Sequence, residues 1–93
     1  MRVILVENED WRLSADIGKY VMFHVVMHRW GAQKLKQYRA ILNTILAKMK
    51  SEGVSCVYAT PYAADKRAQK LIALFDFKRF WTGDDLVVMR RIL

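Results

Sequence analysis

Few residues in this chain are of the types that carry out covalent or acid–base chemistry: one cysteine, Cys56, and two histidines, His24 and His28. Cys56 lies in the apolar run 54–59. A thiol there packs as a small hydrophobe, whereas a nucleophile needs a nearby histidine and an electropositive pocket. As the sole cysteine it has no disulfide partner within the chain, which fits a reducing, cytoplasmic setting. His24 and His28 are four apart in a segment that reads as a strand, so they share one face about 13 Å apart, too far to hold one metal ion. They read as packed or rim histidines, and no metal site is expected. Glu7, Glu9 and Asp10 form an acidic cluster that could line a cleft mouth, although a solvated turn explains the same letters. No catalytic residue is assigned.

The abundant chemistry is cationic. Sixteen Lys and Arg oppose nine Asp and Glu over 93 residues, a net charge of +7 that favours polyanionic neighbours, although a solubilising surface produces the same surplus. Lys34, Lys36, Arg39, Lys66, Arg67 and Lys70 fall on two segments with helical periodicity, where they would form a basic surface with Trp30 or Trp81 available to stack on bases. No helix-turn-helix, zinc or RNA-recognition signature accompanies them. The chain has no secretion signal and no apolar run long enough to span a membrane.

The elements that must position these residues follow from periodicity. With 54% apolar residues, one proline and four glycines, the chain reads as a single folded domain over residues 1–93. Arg2 to Glu7 is a short apolar run and reads as a strand, and 11–18 reads as a loop or short strand. Residues 19–30 are dense in aromatic and β-branched types and read as a long central strand, buried on both faces over much of its length. In 32–52, Leu35, Tyr38, Leu42, Ile45 and Met49 recur at steps of three and four, the pattern of an amphipathic helix that Gly53 would end. Residues 54–59 predict a strand, Pro61 stops it, and 62–75 predict a second helix with Ala64, Ala68, Leu71, Ile72 and Phe75 on one side. Two apolar runs, 77–81 and 86–92, flank Thr82, Gly83, Asp84 and Asp85 and predict a hairpin. The expected fold is α/β: a mixed sheet of about five strands with two main helices.

This order of elements over 19–93, with the string Asp65, Ala68, Leu71, Ile72, Phe75, Asp76, Phe77, resembles the C-terminal part of the Gcn5-related N-acetyltransferases (GNAT), in reduced form. In that family the turn after the long strand carries a basic residue or Gln and then small residues, which let backbone N–H groups approach the diphosphate of coenzyme A at a helix N-terminus. The resemblance places that turn at Arg29, Gly31, Ala32 and Lys34, with Ala32 and Lys34 where the small residues belong, so the loop is degraded. The family's general-acid tyrosine falls at Ile72, which cannot donate a proton. The opening elements of the family have no room here. The resemblance therefore implies a catalytically inactive acetyltransferase-like domain that binds or assembles, with no cofactor and with a protein partner or a second copy of itself. It is loosely similar to virion-associated proteins of short-tailed bacteriophages. Two alternatives stand beside it: an acetyl-coenzyme A dependent N-acetyltransferase with a divergent loop, and a basic nucleic-acid-binding protein.

Overall fold

A computed structural model describes residues 1–29 and 31–93. Among the described residues, six strands and two helices follow one another: β1 (Arg2–Glu7), β2 (Trp11–Ile17), β3 (Val21–Met27), α1 (Ala32–Ser51), β4 (Cys56–Ala59), α2 (Lys66–Leu74), β5 (Lys78–Thr82) and β6 (Val87–Ile92). The strands form one mixed sheet in the order β1-β2-β3-β4-β6-β5. The α/β class, the two helices and the terminal hairpin are as the periodicity implies.

The sixth strand is β2, where a loop or short strand was expected. Its period of two explains it: Trp11, Leu13 and Ala15 point into the core, while Arg12 and Asp16 alternate to the other face. Ser14, a potential helix cap by its type, is buried mid-strand instead. β2 pairs antiparallel with β3 over its full length and with β1 over residues 12–16. The central strand β3 is shorter than 19–30 and one-sided: Val21 and Phe23 are buried, whereas Met22 and His24 are half-buried and Val26 is exposed.

The second helix begins at Lys66, four residues later than expected. Asp65 caps it by accepting a hydrogen bond from the Ala68 N–H at 3.0 Å, a start signal that overrides the apolar letters before it. Helix α1 ends as read. Gly53 adopts φ 95°, a left-handed value open to glycine, and the Val54 N–H reaches back to the Met49 carbonyl at 3.0 Å.

Both helices cover the same face of the sheet. Tyr38, Leu42 and Leu46 of α1 and Leu71 of α2, with Phe75 and Phe77 just after it, pack with Trp11, Leu13, Phe23, Val57, Val87 and Met89 in one core. The opposite face has no helix over it among the described residues. No helix among them is long and apolar enough to cross a membrane.

Candidate cofactor cleft at the β3–β4 splay

The parallel strands β3 and β4 pair at only two positions, Met22 with Tyr58 and Phe23 with Ala59. Beyond Phe23, β3 runs on to Met27 alongside no β4 residue, while β4 ends at Ala59 and the chain turns at Pro61. The two strands part, and a cavity of about 320 Å³ opens between them. Its walls are mainly apolar, including Trp11, Leu13, Phe23, Leu42, Leu71 and Ile72, and its polar lining includes His24, Tyr62 and Asp65. His24 and Val26, on the uncovered face by register, are among the residues that line it. A strand with one unpaired backbone edge inside an apolar cleft suits an extended ligand that carries amide groups.

Two of the polar lining groups, Asp65 and His24, already have structural partners. Asp65 is occupied with its helix cap. His24 Nε2 lies 2.8 Å from Asp16 Oδ2, and Asp16 also accepts from Arg2 at 2.8 Å. These two neighbours, Arg2 first, hold the Asp16 carboxyl well below the usual carboxylate range. The Trp11 indole Nε1 is buried without a hydrogen-bond partner among the described residues, and its ring lies 4.6 Å from that of Tyr38. Burial, followed by the nearby Asp10 charge, pushes the Tyr38 hydroxyl up, and it donates to the Arg29 carbonyl at 3.3 Å. Cys56 packs as a partly buried strand thiol, its Sγ–H 3.2 Å from the Tyr58 hydroxyl. That contact is the first cause of a raised Tyr58 pKa.

The predicted diphosphate turn leads into the start of α1, where Gly31 is the N-cap and no side chain caps the helix. Arg29 and Lys34 come together there, but on a carboxylate of the same chain. Lys34 Nζ donates to Asp10 Oδ2 at 2.8 Å, and the Arg29 guanidinium lies 3.7 Å from Asp10 and 3.8 Å from Glu9. The Asp10 carbonyl also accepts the His28 and Arg29 N–H groups, so the β2 entry turn is tied against this corner. Ala32 is exposed and Lys34 half-buried. Glu9 and Asp10 are thus cation partners, a role their position before a second strand could not reveal. Trp30 lies outside the described residues.

The remaining basic positions do not all stay available. One Arg39 nitrogen contacts both Asp76 carboxylate oxygens at 2.8 and 2.7 Å, which fastens α1 to the end of α2. Lys36, Lys66, Arg67 and Lys70 are exposed. No group of three or more metal-ligating side chains converges among the described residues.

No family model matches the sequence, and no curated protein matches it. Solved structures do. The chain superposes on a ribosomal-protein-S5-alanine acetyltransferase from Vibrio fischeri with a TM-score of 0.65 at 13% identity, covering 89% of this chain and 54% of that one. A GNAT-family acetyltransferase from Streptococcus pneumoniae gives a TM-score of 0.61 at 13% identity, with 89% and 57% covered. The fold is GNAT-like, and the chain spans just over half the length of these neighbours.

Proposed function

On the premise of this GNAT-like fold, we propose that the chain is a reduced acetyltransferase scaffold that does not transfer acetyl groups and serves as a binding or assembly domain, as within a virion. One observation carries the reading: the Asp10 carboxylate lies between Lys34 and Arg29 at the start of α1. A coenzyme A diphosphate would bring its charge to this corner. It would meet a resident anion on the very cations it needs, and like charges a few ångströms apart repel. The residues therefore fit an apolar, amide-bearing ligand arm in the cleft but not the diphosphate at its end. Ile72 adds to this, because it lines the cleft and cannot protonate a departing thiolate.

The alternative is an acetyl-coenzyme A dependent N-acetyltransferase, favoured by the open splay of β3 and β4 and its apolar cavity. Titration calorimetry with acetyl-coenzyme A separates the two. The scaffold reading expects no binding heat at millimolar ligand from the native chain and measurable binding from Asp10→Asn, which removes the carboxylate on Lys34 and leaves Arg29 only its contact with Glu9. Micromolar binding by the native chain revives the enzyme. A silent Asp10→Asn variant shows that this carboxylate is not the obstacle and removes the reading's main support.

A further inference from the structure

We infer that the uncovered face of the sheet, at its β4–β6–β5 end, binds single-stranded nucleic acid. This surface is distinct from the cleft, and the inference stands whether or not the cleft takes acetyl-coenzyme A. Strand alternation and register place Tyr58, Lys78 and Arg90 on this face, with Trp81 opposite Val88 past an irregularity between Arg79 and Trp81.

Four aromatic rings gather here. Tyr58 touches Tyr20 edge-on at 5.6 Å between centroids and Phe80 at 6.4 Å. The Arg90 guanidinium lies over the Phe80 ring at 4.2 Å. Tyr20, Phe80 and Trp81 are nevertheless 57%, 53% and 57% exposed. The benzo edge of the Trp81 indole lies over Gly83, where a Cβ would meet it. Large rings gathered on one face and left in water form a surface on which unpaired bases can stack, whatever their sequence.

The charge around the rings has the matching sign. Neither Lys78 nor Arg90 is ion-paired to a carboxylate among the described residues. On the helix side of β5, Lys66, Lys70 and Arg79 line a shallow groove, so the edge strand is flanked by cations on both faces. The acids of this sheet face, Glu7 and Asp16, sit at the far end in β1 and β2, where they oppose Arg12 and Arg2. A second copy docked here about a two-fold axis would bring Lys78 and Arg90 of each copy together, with Asp84 and Asp85 of the β5–β6 turn the acids nearest in sequence. A sugar–phosphate backbone meets the cations while its bases meet the rings. The face favours single strands because a duplex conceals its base faces. The helical surface is the weaker site, since Lys34 and Arg39 are committed to Asp10 and Asp76.

Fluorescence anisotropy with labelled oligothymidylate and oligouridylate tests this, and a preference between them identifies the sugar. Binding should weaken steeply between about 50 and 200 mM salt. Phe80→Ala with Trp81→Ala, checked for a native circular dichroism spectrum, should weaken binding about tenfold or more at fixed salt with an unchanged salt slope. Lys78→Ala with Arg90→Ala should reduce the slope instead. The inference fails if neither oligomer binds, if a duplex binds as tightly, or if the double aromatic variant binds like the native chain. It also fails if light scattering shows a dimer that this variant abolishes, because the face would then belong to a second copy.

Discussion

Asp16 shows how a single side chain can tie adjacent strands together on the uncovered face. It stands on β2, accepts from Arg2 on β1 and lies against His24 on β3, so three strands meet at one carboxylate. Its folded pKa is depressed, Arg2 being the main cause, below the unfolded value of about 3.9. As pH falls, the unfolded chain therefore takes up this proton first. The stabilisation is fully present above about pH 4 and is lost as pH drops below it. The side chain is 42% exposed, so screening by water keeps the effect small. Thermal unfolding followed between about pH 5 and 3 should show a steeper loss for the native chain than for Asp16→Asn, with parallel curves above that window. Coincident curves throughout would show that the ion pair does not contribute.

At the scale of elements, the junction after α2 is the most constrained point. Asp76 has φ 67°, in the left-handed region, where an L-residue with a Cβ is disfavoured by about 1–2 kcal/mol and Asp is among the few that enter it. The backbone here takes a conformation that glycine enters freely. Asp76 accepts Arg39 in compensation, which also explains why Arg39 does not serve the basic surface expected of it. Urea unfolding should find Asp76→Ala less stable by about 1–2 kcal/mol, because it keeps the strained backbone and loses the bridge. Asp76→Gly should fall within about 0.5 kcal/mol of the native chain, since relief of the backbone offsets loss of an exposed ion pair. Equal losses in the two variants would show that the bridge, not the φ angle, governs this site.

Across the whole molecule, both helices lie on one side, and stability is distributed unevenly over the sheet. β2 contributes four buried residues and is paired along both edges, whereas β5 is an edge strand with no buried residue. Amide hydrogen exchange should therefore be slowest in β2 and β3 and at least about tenfold faster in β5, the strand that carries Phe80 and Trp81. Bound oligonucleotide should slow β5 selectively. Uniform protection across the sheet would mean that the molecule opens only as one unit.

Much of this architecture follows from local pattern. The steps of three and four in α1, the left-handed stop at Gly53, and the apolar runs around residues 82–85 specify elements through short-range geometry, and those elements form as read. β2 was harder to recognise because Ser14 and Asp16 lower its apolar content, and only pairing on both sides makes it a strand. The start of α2 depended on a single cap at Asp65. What only the tertiary structure decided is which charges neutralise one another and which face stays bare. Asp10 meets Lys34 across 24 positions and Arg39 meets Asp76 across 37, because strand order and helix packing bring distant segments together. Likewise, Tyr20, Tyr58 and Phe80 form one surface only because β6 inserts between β4 and β5, a pairing that no local periodicity encodes.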